Sequence, residues 1–180
     1  MTNPRHAVKQ AHERYQVRLL LQTLNARHRS SYEVISEPEP PDAVIKSKRT
    51  VSWVEVVTVY LNTDFAKDVN SFATEGEAHH STSGKLIVAP DEQFSQNFVS
   101  VVRAKLEKKT YEKYRDLFGP GYLIVSIQNP FFGDDLFLMI GEHWQRSRIN
   151  DLGCFRSIYL TYRQELGYRV RRWTPPRNQH

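Results

Sequence analysis

Glu55 is the residue that most needs explaining in this chain. It stands midway along Thr50–Tyr60 (TVSWVEVVTVY), where alternation puts Trp53, Val57 and Val59 on its own face and Val54, Val56, Thr58 and Tyr60 on the other. Two apolar faces mark a strand covered on both sides. An ionised carboxylate there costs several kcal/mol unless a cation or a metal pairs with it. Either an Arg or Lys meets it in the core, or it is a metal ligand held on a rigid element. Asp42 is its natural partner. It follows Pro41 at the start of DAVIK (Asp42–Lys46), and an antiparallel turn through Lys46–Thr50 brings it toward Glu55. Two neighbouring carboxylates repel each other and favour a hard divalent cation such as Mg²⁺ or Mn²⁺, which prefers oxygen ligands. Alone, Asp42 reads as an ordinary turn residue after prolines.

Two helical patterns add further candidates. Phe94, Phe98, Val101 and Val102 form an apolar stripe, and its continuation brings Lys105 and then Lys109 to positions where core residues belong. Such lysines either snorkel to the surface or line a cleft that the stripe enters. Glu13 lies four residues before Val17 and extends the Val17, Leu20, Leu21, Leu24 face of the first helix. In an early helical turn it is also explained by the helix dipole.

The elements that carry these residues read in a definite order. A helix is expected from about Pro4 to Asn25, then strands at Ser31–Ser36, Asp42–Lys46 and Thr50–Tyr60. The Glu37-Pro38-Glu39-Pro40-Pro41 segment cannot sit inside a sheet and reads as an extended connector. A short helix near Asp64–Phe72 and a small strand at Lys85–Ala89 follow. A long helix should begin near a capping Asp91 and run to Gly119-Pro120-Gly121, ahead of a buried strand, Tyr122–Gln128. A helix capped by Asp134 and strands at Phe155–Tyr162 and Tyr168–Trp173 complete the chain. The expectation is an α/β fold with a central mixed sheet flanked by helices. It forms a single domain over 1–180, with a core at about 8–128, additions at 129–173 and a basic tail at 174–180.

Pro41-Asp42 followed by Glu55-Val56-Val57 in an apolar run resembles the PD-(D/E)xK phosphodiesterase superfamily. The likeness covers Ala11 to Gln128 and includes the helix–strand–strand–strand–helix–strand order (αβββαβ) of the restriction-endonuclease-like core. The resemblance implies metal-dependent hydrolysis of nucleic-acid phosphodiester bonds. Asp42 and Glu55 would hold Mg²⁺ (or Mn²⁺), and Glu13 matches the extra acid often supplied by the first helix. The family's strand lysine is missing, since Val57 occupies its position two residues after Glu55. A replacement would come from the long helix, with Lys109 preferred to Lys105 as nearer the cleft mouth. The rival expectation is a catalytically inactive module of the same fold that binds nucleic acid or a protein.

Bulk properties agree with a single soluble domain. The 180 residues carry a formal charge of +5, which suits a polyanionic partner, with DNA expected ahead of RNA. The end of the chain concentrates this charge in Arg169, Arg171, Arg172 and Arg177 beside Tyr168 and Trp173, residue types that meet phosphates and stack on bases. A frayed, solvated tail explains the residues after Pro175-Pro176 equally well. A lone cysteine, Cys154, rules out an internal disulfide, and neither a signal peptide nor a spanning segment is read, so the cytoplasm is the expected compartment and no membrane contact is expected. A homodimer is compatible with this reading. His79-His80 has no partner at zinc spacing in the sequence, and no phosphate loop or nucleophile elbow is present.

Overall fold

The computed structural model describes residues 4–28, 31–74, 78–81, 89–165 and 167–176. The helices are α1 (Pro4–His28), α2 (Thr63–Ala73), α3 (Pro90–Leu106), α4 (Glu112–Phe118) and α5 (Asp134–Arg146). The strands are β1 (Glu33–Ser36), β2 (Ala43–Lys46), β3 (Val51–Tyr60), β4 (Gly121–Gln128), β5 (Phe155–Gln164) and β6 (Gly167–Trp173). The strands form one mixed sheet in sequence order, β1 to β6. The β1–β2 and β2–β3 pairs are antiparallel, β3–β4 and β4–β5 are parallel, and β6 returns antiparallel to β5. The fold is α/β, with helices on both faces of the sheet.

Period-two alternation sorts the side chains into two cores. On one face, Val17, Leu20 and Leu24 of α1 cover Ala43, Ile45, Val54, Val56, Tyr122 and Ile124. On the other, α3 and α5 cover Trp53, Val59, Leu123, Val125, Ile127 and Leu160. Each fully buried aliphatic side chain contributes about 1.5–3 kcal/mol of transfer free energy. The 129–173 segment is integral to this second layer, supplying Leu136, Ile140, Trp144, Ile158 and Trp173. Gly121 matters here because a Cβ on it would lie 2.4 Å from the Trp53 ring. The indole therefore lies directly on bare β4 backbone, and its Nε1 donates to the Gly119 carbonyl (2.9 Å).

The long helix expected from Asp91 to Gly119 is three pieces. α3 ends at Leu106, a 3-10 turn spans Lys109–Tyr111, and α4 follows. The break swings Tyr111 into the core, where it is fully buried and stacks on Trp53. At its start, α3 places Pro90 at N1 behind Ala89, which has a left-handed backbone, so Asp91 belongs to the first turn rather than the cap. Gly133 likewise takes the cap position expected of Asp134. The Lys85–Ala89 strand falls outside the described residues except for Ala89. Among the described residues, no helix is long and apolar enough to cross a membrane.

Candidate functional site

The acidic residues are brought together by the end of β2 and the fastening of the connector before it. β2 pairs with β3 only from Ala43↔Val54 to Lys46↔Val51, so Asp42 lies beside Glu55 where the pairing stops. The carboxylate replaces the next strand residue: Asp42 Oδ2 accepts from the Val56 amide (2.7 Å). The connector is tied to α1 by Lys9–Glu39 (2.6 Å) and Arg14–Glu37 (2.8 Å). From the other side, the Tyr114 hydroxyl donates to the Pro40 carbonyl (2.6 Å). Exposed ion pairs are individually weak, so the buried end of the connector at Pro41 carries more of the anchoring.

Glu55 is 3% exposed. Its Oε1 accepts from Lys105 Nζ (2.6 Å) and from the Tyr111 hydroxyl (2.7 Å), while Oε2, equally buried, has no hydrogen-bond partner among the described residues. Lys105 arrives because the Phe98–Val102 stripe of α3 leads one turn further onto Glu55. Lys109 sits on the 3-10 turn, exposed and away from the cleft, because α3 has already ended. Lys108 lines the cleft instead, 5.2 Å from the Tyr111 ring centre.

Glu13 enters from α1. Ligand oxygens of Glu13, Glu39 and Asp42 lie within 4.8 Å of one another, and Lys9 bridges Glu13 (3.3 Å) and Glu39. Burial and the nearby Glu55 charge, with Glu13 beyond, push the Asp42 carboxyl up to about 7, against the opposing pull of the Val56 amide and Lys105. Burial raises Glu13 as well, whereas the hydrogen bond from Lys9 lowers Glu39. Burial lowers His12, whose Nε2 is 3.3 Å from Thr58 Oγ1. Burial first, and then Glu55, raise Tyr111, keeping it a proton donor.

These groups line a cleft of about 1020 Å³ whose floor is the second half of β3. Four carboxylates gather there, those of Glu13, Glu39, Asp42 and Glu55. Lys9 and Lys105 pair with them at close range, and His6 lies 3.8 Å from Glu39. The clustered oxygens of Glu13, Glu39 and Asp42, with the buried Oε2 of Glu55 lining the same cleft and lacking a hydrogen-bond partner among the described residues, are a donor set that suits a hard divalent cation.

The sequence did not single out Glu39, Lys9, Lys108 or Tyr111. For Glu39 a signal existed, an acid locked between two prolines beside Asp42. Tyr111 offered none, since no Gly or Pro marks the break that turns it inward. His79 and His80, without sequence partners, meet Asp68 (3.6 Å) and Asp64 (3.8 Å) in space.

At the chain's end the expected nucleic-acid residues divide. Trp173 is 5% exposed, packed edge-on against Phe98 and Trp144, so it is a core residue and not a stacking platform. Arg169, Arg171 and Arg172 are exposed on β6, but alternation places Arg172 on the α1 side and the other two on the α5 side, where Arg171 covers Phe137. Arg177 lies outside the described residues.

No family model matches the chain, and no curated protein sequence matches it. Among solved structures, it is similar to SfsA of Pyrococcus furiosus in complex with Ca²⁺, with a TM-score of 0.32 and 10% sequence identity. The match covers 97% of this chain and 65% of that one, so the chain spans less than two thirds of that protein's length.

Proposed function

We propose that this domain is a metal-dependent nuclease of the PD-(D/E)xK type, with Asp42 and Glu55 as the ligands of Mg²⁺ (or Mn²⁺). The observation that carries this reading is the buried Oε2 of Glu55, without a hydrogen-bond partner among the described residues, in an acidic cleft that Asp42 also lines. When bound, the cation supplies charge neutralisation at the scissile phosphate and a more acidic water. The chain's own residues prepare for it. Lys105 and Tyr111 fix Glu55 through Oε1 and leave Oε2 available, while the Val56 amide holds Asp42 through Oδ2. Glu13 stands close enough to Asp42 to join a water-mediated outer sphere. Lys105 is the candidate replacement for the lysine absent at Val57, with its ammonium free to turn toward a phosphate once Glu55 has another partner. Arg169, Arg171 and Arg172 are candidate backbone contacts outside the cleft.

A second reading has its own support. Lys9 and Lys105 already pair with the acids, and Val57 leaves the strand position without a cation. A nuclease-fold module that binds nucleic acid without cutting it fits those facts. Calorimetric Mn²⁺ titration separates the possibilities when joined to cleavage assays on single-stranded DNA, duplex DNA and RNA. The nuclease binds Mn²⁺, loses it in Asp42→Asn and Glu55→Gln, and cuts at least one substrate. Binding without cleavage selects the inert module, and no Mn²⁺ binding removes both Asp42 and Glu55 as ligands.

A further inference from the structure

The carboxylates lie on the floor of a cleft with walls on two sides, and the character of those walls limits what can reach them. One wall is the first half of α1, through Val8 and His12. The other is α2, through Ala66, Asn70 and Thr74, extended by His80, whose amide donates to Ser71 Oγ (2.8 Å). Tyr60, half-buried at the end of β3, joins floor to wall through its hydroxyl, 3.3 Å from Asn70 Oδ1. Pockets of about 300–1,000 Å³ enclose ligands of drug size, a class that includes one or two nucleotides. A stacked duplex is a stiff rod, so its phosphates reach a carboxylate only 3% exposed less readily than those of a flexible single strand.

The lining also has the composition that single strands select. Tyr60, Tyr168 and His12 are among the lining residues, and so are the exposed Lys67 and Lys108. Lys67 meets a half-buried Asp64 at the long distance of 4.0 Å, and Lys108 lies over the Tyr111 ring. Aromatic platforms flanked by cations bind unpaired bases and track the backbone without reading sequence. Tyr168 further connects β6 to the cleft, which no pattern in the sequence required.

We infer that the cleft receives a single-stranded nucleic-acid segment, with bases against Tyr60 and phosphates at Lys108 and Lys67, and excludes intact duplex. This rests on the nuclease-fold reading but concerns substrate form rather than cleavage. The test is therefore run in EDTA, where binding is measured without metal or turnover. Fluorescence anisotropy would follow labelled strands of about 12 nucleotides, as DNA, as RNA and as blunt DNA duplex. Either single strand should bind about tenfold or more tightly than the duplex, and the preferred sugar identifies the natural source. Tyr60→Ala should weaken single-strand binding about tenfold, and Tyr60→Phe, which keeps the ring, should restore it. Lys108→Ala should reduce the salt slope by about 0.7. Duplex binding equal to or tighter than single-strand binding overturns the inference, as does indifference to both Tyr60→Ala and Lys108→Ala. Failure of the metal-site reading would instead appear as lost Mn²⁺ binding with these preferences intact.

Discussion

Lys105 Nζ lies 2.6 Å from Glu55 Oε1, joining the last turn of α3 to the middle of β3. Glu55 is enclosed and Lys105 only partly so, which makes the pair asymmetric. Removing the cation alone strands a carboxylate in an apolar layer, a loss of about 3–5 kcal/mol when burial is complete. The exposure of Lys105 reduces this to about 1–3 kcal/mol. Lys105→Ala should lower the urea midpoint accordingly, and Lys105→Met combined with Glu55→Gln should recover most of it. In the proposed reaction, Lys105→Ala should slow metal-dependent cleavage by about 100-fold or more, while Lys109→Ala stays within about twofold. Wild-type cleavage by Lys105→Ala would shift the catalytic cation to another residue, with Lys108 the next to test.

Asp42 makes stability depend on pH. Its carboxyl is near the usual 3.8 when unfolded and about 7 when folded. Between those values the folded state holds more protons, so stability falls as pH rises from about 4 to about 7 and levels off above. Glu13 acts in the same direction, and the lowered His12 opposes it near neutrality. The Asp42 contribution is at most about 4 kcal/mol. Melting curves of metal-free protein should show this decline, and Asp42→Asn should flatten most of it. For the same reason Mn²⁺ affinity should increase through pH 7, because binding displaces a proton. A metal-free stability that rises from pH 4 to pH 7 in wild type would contradict the assignment.

Tyr111 is the neutral half of the clamp on Glu55. Tyr111→Phe keeps the stacking on Trp53 and deletes only the donor to Oε1, at a cost of about 1.5–3 kcal/mol for a hydrogen bond to a charged group. Its effect on cleavage should exceed its effect on Mn²⁺ affinity, since Oε2 remains but its orientation loosens. A variant as stable as wild type would mean that Lys105 alone holds the carboxylate.

The chain's end offers a clean contrast between structure and binding. Trp173→Ala should destabilise the fold by about 3–5 kcal/mol through the cavity left between Phe98 and Trp144. Removing the charges of Arg169, Arg171 and Arg172 should instead lower nucleic-acid affinity and flatten its salt dependence, by up to about one unit of log–log slope for each phosphate no longer neutralised. A slope unchanged in that triple variant takes β6 out of the binding surface.

Much of this arrangement is visible in residue order, and what is hidden has physical causes. The twin apolar faces of Val51–Tyr60 identify a covered strand, and a carboxylate within it marks Glu55 without further help. Asp42 follows from the short turn that sets β2 against β3. The helix after Ala89 is equally plain, but its end is not. Leu106 to Glu112 contains no glycine or proline, and the chain breaks there because Tyr111 gains more in the core beside Trp53 than a continued helix could provide. That single break moves Lys109 out and brings Lys108 to the cleft, which Lys105 has already reached from the last turn of α3. Trp173 misleads for the opposite reason: beside arginines and Tyr168 it reads as a ring that stacks on bases, while strand alternation buries every second side chain only where a partner helix waits. Here α3 and α5 wait.

The place of β6 gives its arginines a consequence apart from any ligand. Among the described residues β6 is the last strand of the sheet, so its outer edge offers backbone donors and acceptors to any extended chain that approaches. Arg169, Arg171 and Arg172 project from both faces of that edge, and Pro175-Pro176 follow one residue beyond its end, where the ladder would otherwise lengthen. Stacking two such strands would crowd guanidinium against guanidinium, and proline has no amide hydrogen to give. The feature that draws attention as a polyanion contact is thus also a guard against self-association, keeping an otherwise apolar, β-rich sheet from growing into the next molecule.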